Sequence, residues 1–425
     1  MGKANSKQAK GGPAPRDQPR FNPKTAYGET GCKILSSPHK YVQKAGALQY
    51  LGEYLKGLHR FWGGKGKPVA AVLAVPEMKA AYGETLQKSL ESSGHAVSWF
   101  DFKGECCWDE IERVIKGLRD LPQSPLVLVS LGGGKCIDTG KAVAYTEGIP
   151  SVVVPTLASN DAPCSALSII YTPDGVMEEI FYFPDNPYLV VVDTLVVGKA
   201  PKRFLISGIA DAMATYYEAV ACAENPKGQS EIGGRPTASA IALSSLCRDT
   251  LFEKAETAIC ASEKLAKGET VPQGEMAALD AVIEANTLLS GLGFESGGLA
   301  CAHAFHNGLT SHDNTHAYLH GEKVAFSTIV HLLMLGDEEE AERVASLFVR
   351  IGLPTTLSDL GIKNEEGDEE KLREVCKKAC KPGESMYNMP MEVTDEKVYD
   401  AMRGADSLGT KMKERRETEA TARTA

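Results

Sequence analysis

The sequence predicts an α/β protein in two parts, a doubly wound and mostly parallel sheet followed by an all-helical region. Apolar runs of strand length alternate with helical patterns before residue 200, and this alternation is typical of a parallel sheet covered by helices on both faces. One predicted strand runs directly into Gly132-Gly133-Gly134, at the edge where such sheets bind ligands. From Pro201 onward the strand patterns stop and long helical patterns follow.

Apolar spacing justifies the elements of the first part in chain order. Residues 69–75 (VAAVLAV) form a continuous apolar run, and a helical pattern follows it up to Gly94. Residues 96–102 alternate as a second strand, and 108–121 repeat apolar residues at helical spacing. Because Asp174-Gly175 separates two β-rich runs, we predict a hairpin there. The remaining strands are predicted at 126–131, 151–155, 168–171, 180–183 and 189–192.

Three regions follow from these patterns. Residues 1–28 are rich in Lys, Gly, Pro and Gln and lack apolar periodicity, so we predict a disordered tail. Its first residues, Met1–Ser6, match the short myristoylation pattern, which also arises often by chance. We assign residues 29–200 to an α/β domain and residues 201–425 to a helical domain. The charged end of the helical domain, from residue 411 onward, is predicted to be a frayed helix or a tail.

Composition argues against several classes of protein. A formal charge of −10 over 425 residues leaves no basic surplus to neutralise phosphates, so we expect no nucleic-acid partner. The apolar runs are far shorter than the roughly 18 residues that indicate a membrane span. Eleven cysteines without zinc-finger spacing, two of them adjacent at Cys106-Cys107, indicate a reduced intracellular chain. We therefore expect a cytoplasmic protein.

Histidines are concentrated in one short stretch of the helical part. Six of the nine lie between His303 and His331. His303 and His306 are three residues apart, which places them on one face of a helix, and neutral imidazoles are good ligands for zinc or iron. A catalytic zinc site needs a third protein ligand, and Asp211 is a candidate because it interrupts an apolar, small-residue helical pattern. Core histidines and a helix-terminal aspartate explain the same spacing, so spacing alone leaves both interpretations open.

The glycines after the third strand indicate a phosphate-binding loop. Without Cβ atoms, backbone amides can approach a pyrophosphate, and the N-terminus of the following helix favours its negative charge. Gly132-Gly133-Gly134-Lys135 nevertheless lacks the third glycine of the common dinucleotide motif, and Ala142 stands where a P-loop has Ser or Thr. A tight strand-to-helix turn is the alternative, with Asp138 interacting only with the helix dipole.

Taken together, several separated segments resemble one enzyme family. The segments are 132–138, 154–167, the stretch around Asp211 and the two histidine stretches around 303 and 320. In this order they resemble the glycerol dehydrogenases, the zinc-dependent branch of the iron-containing alcohol dehydrogenase superfamily, over about residues 30 to 400. The resemblance implies a dehydroquinate synthase-like architecture, with residues 29–200 as a dinucleotide-binding domain, 201–425 as a helical metal-binding domain and the active site in the cleft between them.

The resemblance also assigns roles to individual positions. It implies that Asp211, His303 and His320 hold one zinc ion. It also implies that His306 is a neighbour that does not bind the zinc, and we assign His306 to catalysis. Asp161 matches the aspartate that contacts the substrate; a turn of the chain before Pro163 is the alternative role for it. The implied cofactor-binding positions are Gly133, Gly134, Lys135, Asp138, Thr156, Ser165, Leu167 and Tyr171.

The function implied by the resemblance is the reversible oxidation of glycerol to dihydroxyacetone with NAD, by a homo-oligomer. Related iron enzymes have a histidine four residues after the metal aspartate, where this chain has Thr215. Three protein ligands and an open position suit catalytic zinc. Alternatives are a lyase like dehydroquinate synthase, a glycerol-1-phosphate dehydrogenase and a nucleotide-binding scaffold without activity. The first two must hold a substrate phosphate, and near the histidines Lys323 alone is weak support for that.

One position bears on which nicotinamide is used. In doubly wound folds an acid at the end of an early strand binds the ribose 2′-hydroxyl and repels a 2′-phosphate. The resembling enzymes commonly have aspartate there, whereas this chain has Val75, with Glu77 two residues later and Lys79 as the nearest cation. A valine removes the repulsion without supplying an attraction. We therefore expect NAD, with NADP as the alternative.

Overall fold

The computed structural model describes residue 16 and residues 20–28, 31–363 and 367–424. All strands of these residues lie between Lys40 and Asp193. They are β1 (Lys40–Lys44), β2 (Val69–Ala74), β3 (Ala96–Asp101), β4 (Val127–Gly132), β5 (Ser151–Pro155), β6 (Leu167–Tyr171), β7 (Met177–Tyr182) and β8 (Leu189–Asp193).

Helices alternate with the early strands and account for the regular structure described after β8. The α-helices are α1 (Pro23–Tyr27), α2 (Leu51–Leu55), α3 (Pro76–Ser92), α4 (Trp108–Arg119), α5 (Gly134–Glu147), α6 (Thr194–Gly198), α7 (Lys202–Glu224), α8 (Ala238–Ala266), α9 (Gln273–Glu284), α10 (Ser290–Gly297), α11 (Cys301–Leu309), α12 (His320–Met334), α13 (Glu338–Ile351), α14 (Asp368–Ala379) and α15 (Asp395–Thr424). A π-helical segment, Ala285–Leu289, joins α9 to α10. None of the described helices is long and apolar enough to cross a membrane.

Six strands form one parallel sheet in the order β1-β8-β5-β4-β2-β3, and β6 pairs with β7 as a separate antiparallel hairpin. Alternate residues of β2 face opposite sides, because side chains along a strand alternate. Ala70 and Val72 pack in a cluster with Leu86 of α3, whereas Leu73 packs with Ile111 of α4. Helices therefore cover both faces, and the predicted fold class, a doubly wound parallel sheet followed by a helical part, is confirmed.

Two elements near the N-terminus were not predicted. β1 has lysines at both ends and a partly exposed middle, so its sequence lacks the apolar run that marks the other parallel strands. α1 lies inside the predicted disordered tail, where the side chain of Asn22 accepts a hydrogen bond from the Thr25 amide at 3.2 Å. Residues 1–15 and 17–19 of that tail, including the myristoylation pattern, lie outside the described residues. At the other end, α15 continues helically through the predicted frayed end.

The largest apolar cluster extends across position 200. It joins Val153 and Val190 of the sheet to Leu205 and Ile209 of α7 and to the other helices of the second part. Because buried apolar contacts are the main favourable term in folding, the sheet and the helical part stabilise each other. A domain boundary near residue 200 remains a prediction based on secondary structure.

Candidate active site

Asp211, His303 and His320 lie close together although they belong to three different helices. One ligand atom of each lies within 4.8 Å of the other two. Oδ1 of Asp211 is 2.9 Å from Nε2 of His320 and 3.4 Å from Nε2 of His303. Asp211 is 1% exposed, and its Oδ1 makes no hydrogen bond within the described residues. A buried carboxylate oxygen and two imidazole nitrogens thus point at one another.

Small residues let these helices approach closely. Gly321 follows His320 at the start of α12, and a Cβ at position 321 would lie 1.8 Å from the carbonyl oxygen of Ser207 on α7. On the other side of α7, a Cβ at Gly208 would lie 1.9 Å from the carbonyl oxygen of Ala158. Only glycine permits these distances. The two contacts place His320 and the loop after β5 against the helix that carries Asp211.

The donor set fits a divalent metal ion of the zinc type. Carboxylate oxygen and imidazole nitrogen are ligands of catalytic zinc, and three protein ligands leave a position open. Burial by itself would raise the pKa of Asp211, but the two imidazoles lower that pKa below its ordinary value. Thr215, four residues after Asp211, contacts the hydroxyl of Ser290 at 2.9 Å and does not join the group. Asp211 Oδ1 is buried, lacks a well-formed hydrogen bond within the described residues and faces two imidazole nitrogens, and this arrangement makes a bound cation chemically reasonable.

Asp161 lies on the loop that connects β5 to β6. Its Oδ2 accepts a hydrogen bond from the hydroxyl of Ser290 at 2.7 Å. Burial, reinforced by the charge of Asp211, raises the pKa of Asp161 to about 8. The local turn belongs to its neighbour instead, because Oδ1 of Asn160 accepts a hydrogen bond from the amide of Ala162 at 3.3 Å. The arrangement therefore favours a role for the Asp161 carboxylate beyond shaping the loop.

His306 lies beside the three-residue group without belonging to it. Its ring centroid is 4.2 Å from that of His320 and 6.4 Å from that of His303. Its Nδ1 contacts the side-chain oxygen of Asn307 at 3.2 Å. This placement agrees with its predicted description as a neighbour that does not bind the metal.

The glycine loop lies at the carboxyl end of β4, as the sequence predicts. Gly133 precedes α5, a helix of 14 residues that begins at Gly134. A Cβ at Gly134 would lie 2.9 Å from Nδ2 of Asn160, so the glycine loop packs directly against the loop of Asp161. Lys135 pairs with Glu105 at 2.6 Å, and its Nζ is 5.2 Å from the ring centroid of Tyr171.

The other predicted cofactor positions lie around the same loop. The amide of Thr156 donates to the carbonyl of Gly132 at 3.0 Å, and Leu167 begins the hairpin that continues to Tyr171. Ser165 accepts a hydrogen bond from Lys141 at 3.2 Å. Asp138 lies beside the same buried lysine, and its role in cofactor binding stays a prediction. Its Oδ1 lies 2.9 Å from Lys141 Nζ, and its Oδ2 accepts from the amide of Ile169 at 3.1 Å.

Comparisons with known proteins agree with this architecture. Residues 38–194 match the model of the family described as "Iron-containing alcohol dehydrogenase". A glycerol dehydrogenase of Escherichia coli O6:H1 is 44% identical over 89% of this chain and 97% of its own length. A glycolaldehyde reductase of Halobacterium salinarum is 41% identical over 90% and 99%. The crystal structure of glycerol dehydrogenase from Schizosaccharomyces pombe superposes with a TM-score of 0.82 at 36% identity, covering 92% of this chain and 94% of that one.

The chain belongs to the iron-containing alcohol dehydrogenase family. The predicted resemblance is thereby confirmed, and the protein is an oxidoreductase of this family that acts on a small molecule.

Three residues that contact the candidate site or its neighbouring loop were not predicted from the sequence. Glu218 contacts His303, Ser290 contacts Asp161, and Asn286 donates to the carbonyls of Ala158 and Leu205 at 3.1 and 3.2 Å. For Glu218 a signal exists in the sequence, because it is a second acid in the apolar pattern that contains Asp211. The other two are ordinary polar residues in a small-residue stretch and carry no such signal.

The end of β2, where the residue type bears on the choice between NAD and NADP, lies next to the glycine loop. Val75 follows β2, and its amide donates to the carbonyl of Leu131 at 3.1 Å. Lys79 Nζ lies 2.7 Å from Asp101 Oδ1 and 5.5 Å from the ring centroid of Trp99. Lys79, the nearest cation, is therefore already paired with a carboxylate. This pairing weakens any attraction of Lys79 for a 2′-phosphate.

Proposed function

We propose that this enzyme is a metal-dependent polyol dehydrogenase that oxidises glycerol to dihydroxyacetone with NAD. The observation that carries the proposal is the convergence of Asp211, His303 and His320 on one point. The loop of Asp161 connects that point to the glycine loop, because it packs against Gly134 on one side and α7 on the other. A diol held at the three-residue group would therefore lie beside the cofactor.

Asp211, His303 and His320 would hold one zinc ion. Zinc bound there would act as a Lewis acid, which makes an alcohol easier to deprotonate near neutral pH. The carboxylate of Asp211 supplies the negative charge of the site, and the imidazoles supply neutral nitrogen ligands. Three protein ligands would leave one coordination position for a substrate.

The remaining residues bind and orient the reactants. Asp161, held by Ser290, would accept a hydrogen bond from a substrate hydroxyl and fix which carbon faces the nicotinamide. The amides of Gly133 and Gly134 and the N-terminus of α5 would bind the pyrophosphate. Bound NAD would accept a hydride from C2 of glycerol, and His306, which lies beside His320, would receive the hydroxyl proton. The protein contributes position and charge, and the cofactor contributes the hydride chemistry.

NAD is the proposed cofactor because the site offers no free cation for a 2′-phosphate among the residues described beside Val75. Lys79 forms a partly exposed ion pair with Asp101. An acid at position 75 would bind the ribose 2′-hydroxyl of NAD and repel the 2′-phosphate of NADP. Val75 does neither, and the pairing of Lys79 with Asp101 leaves a 2′-phosphate without an unpaired cation among the residues described there. We therefore expect kcat/KM for NAD to exceed that for NADP. A preference of tenfold or more for NADP, about 1.4 kcal/mol, would show that this edge binds the additional phosphate.

The relatives suggest two candidate substrates. The relatives include a glycolaldehyde reductase at 41% identity, so a short hydroxyaldehyde is the second candidate substrate. The lyase and glycerol-1-phosphate interpretations lose support, because several curated relatives at 40% to 44% identity are named glycerol dehydrogenases. In addition, Arg203 pairs with Glu322 and Lys323 is 8% exposed, so neither is a free surface cation for a substrate phosphate.

One assay tests the proposed activity. Purified protein is mixed with NAD and glycerol, with and without a zinc chelator, and NADH is followed by its absorbance. We expect turnover that the chelator abolishes and that added zinc restores. Parallel reactions contain glycolaldehyde with NADH, and glycerol-1-phosphate with NAD or NADP. Turnover of a phosphorylated substrate in preference to glycerol would contradict the proposal, and so would activity that the chelator leaves unchanged.

The cellular setting is also proposed. The eleven cysteines lack the spacing of a disulfide framework, which is typical of a reducing compartment, and we expect a cytoplasmic homo-oligomer. Sedimentation of the purified protein measures the oligomeric state. A sedimenting mass equal to that of a single 45.5 kDa chain would contradict the expected oligomer.

A further inference from the structure

Glu218 lies on the same helix as Asp211 and contacts the same imidazole. The two acids are separated by 218 − 211 = 7 residues of α7, close to two helical turns, so both are on one face. The side chain of Glu218 is 0% exposed, whereas that of His303 is 12% exposed. A fully buried carboxylate is costly unless both oxygens have partners.

The two oxygens of Glu218 have different partners. Oε1 accepts hydrogen bonds from the backbone amides of Ala300 and His303, at 2.8 and 2.9 Å. These amides belong to the first turn of α11, so this oxygen satisfies donors that a helix N-terminus leaves free. Oε2 lies 2.5 Å from Nδ1 of His303. One carboxylate thus fixes both the start of α11 and the ring that α11 carries.

We propose that Glu218 is a positioning residue that holds His303 in the tautomer required for metal binding. A carboxylate only accepts hydrogen bonds, so the facing Nδ1 must donate. In a neutral imidazole the lone pair is then on Nε2, the atom that faces Asp211 Oδ1 at 3.4 Å. The inference rests on the proposed metal site and adds the residue that prepares one of its ligands.

Glutamine at position 218 can keep the hydrogen bonds to the backbone amides of α11 while it changes the contact with Nδ1 of His303. Its amide oxygen can still accept from the amides of Ala300 and His303, but its NH₂ group then faces Nδ1 of His303. Two donors cannot share a hydrogen bond, so the imidazole is driven to carry its proton on Nε2. The reverse amide orientation leaves two backbone donors facing an NH₂ group, which costs more because both are buried. Glu218→Gln is therefore expected to preserve the start of α11. It is also expected to leave a proton on Nε2 of His303, so that this atom cannot bind zinc.

A purely structural role for Glu218 gives a different expectation. If the side chain only stabilised the start of α11, its replacement by glutamine would leave the affinity of the folded protein for zinc unchanged. Metal affinity, measured separately from thermal stability, thus distinguishes the two roles.

The experiment measures zinc affinity of the full chain by competition with a chromophoric chelator, together with the midpoint of thermal unfolding without metal. We expect Glu218→Gln to bind zinc about 10 to 100 times more weakly than the wild type, with nearly the same metal-free midpoint. Glu110→Gln is the matched control, because Glu110 is also a buried helix carboxylate that accepts a backbone amide, from Lys103 at 3.0 Å. We expect it to keep wild-type affinity.

Zinc affinity of Glu218→Gln equal to that of the wild type would overturn the inference. His303→Ala tests the underlying metal site separately: if it binds zinc as tightly as the wild type, the proposed site itself is wrong. A crystal structure of the zinc-loaded wild type decides the matter even if Glu218→Gln does not fold. We expect zinc on Nε2 of His303 with Glu218 within hydrogen-bond distance of Nδ1, and zinc on Nδ1 would contradict the inference.

Discussion

At the scale of single residues, Asp161 has a partner that its local sequence does not indicate. The segment before Pro163 suggests a turn, yet Asn160 makes the local hydrogen bond, and Asp161 reaches across to Ser290 on α10. Burial and the charge of Asp211 raise the pKa of Asp161 to about 8. A carboxylate kept in so unfavourable a place is more common at functional sites than elsewhere.

Asp161→Ala is expected to lower kcat/KM for glycerol by at least about 100-fold, or ~2.7 kcal/mol, because it removes a positioned hydrogen bond to a substrate hydroxyl. NAD affinity, measured by fluorescence titration, should stay within about twofold. The midpoint of thermal unfolding should not fall sharply, since burial of this polar carboxyl group is itself unfavourable to folding. Near-normal kcat/KM in this variant would favour a structural role for the loop.

Residue type and the family resemblance were sufficient to single out Asp211, His303 and His320, and the structure brings them together. They were not sufficient for the partners of these residues. The contact between Glu218 and the amide of His303 spans 85 positions, and that between Ser290 and Asp161 spans 129. Apolar spacing predicts which side of a helix is buried, but it does not predict which other helix lies there.

At the scale of elements, the loop from Thr156 to Ala166 is fixed from both parts of the fold. Lys141 of α5, which is 2% exposed, donates to the carbonyl of Ala162 at 2.8 Å. From the helical part, Glu295 of α10 accepts a hydrogen bond from the amide of Ala166 at 2.5 Å. The π-helical segment before α10 contributes Asn286, which donates to the carbonyl of Ala158 at 3.1 Å. The loop that carries Asp161 is therefore held in place by contacts from both sides.

Glu295 gives this arrangement a pH dependence. Burial raises the pKa of Glu295 to about 7, above its ordinary value of 4.5, so the folded protein binds this proton more tightly than the unfolded chain does. Its contribution to stability is complete below about pH 4.5 and is lost as the pH rises through 7. Over this range the loss amounts to ~3 kcal/mol at most.

Glu295→Gln removes this titration. At each pH, the midpoint of thermal unfolding of the variant is subtracted from that of the wild type. This difference should decrease from pH 5 to pH 8. Calorimetry of the metal-free proteins at several pH values measures this difference, and the pair at pH 5 serves as the reference. A difference between wild type and variant that stays constant or increases with pH would show that Glu295 does not titrate in this range.

At the scale of the whole molecule, the proposed metal site connects α7, α11 and α12, which contribute to the core shared by both parts of the chain. A ligand that binds only the folded state stabilises it by mass action, by ~2.7 kcal/mol at a concentration 100 times its dissociation constant. Zinc should therefore raise the midpoint of thermal unfolding of chelator-treated protein by several degrees.

Differential scanning fluorimetry with and without zinc measures this shift. His303→Ala should show no shift, because it loses one ligand of the group. His316→Ala is the matched control: the ring of this exposed histidine contacts the carbonyl of Thr310 at 3.0 Å, away from the three-residue group, and the shift should persist. An equal shift in His303→Ala would place the stabilising zinc elsewhere.

The layered architecture was predictable because its central strands, β2, β4, β5 and β8, are almost wholly buried and have continuous apolar runs. β5, predicted at 151–155, occupies Ser151–Pro155. β7 begins at Met177, three residues before the predicted 180, because its exposed first residues carry no apolar signal. β1 was missed for the same reason. A parallel strand that joins a sheet at its edge is specified by its partner more than by its own sequence.

The pairing of β1 has a consequence for how the protein is made. Lys40 of β1 lies opposite Leu189 of β8, so 189 − 40 = 149 residues separate the two positions. At roughly 5 to 20 residues per second on a ribosome, β8 is synthesised about 7 to 30 seconds after β1. During that interval the backbone hydrogen-bonding groups of β1 have no partner strand, whereas β2, β3 and β4 can already pair with one another. Nascent chains of this protein are therefore expected to expose a strand edge to other polypeptides until the last strand of the sheet leaves the ribosome.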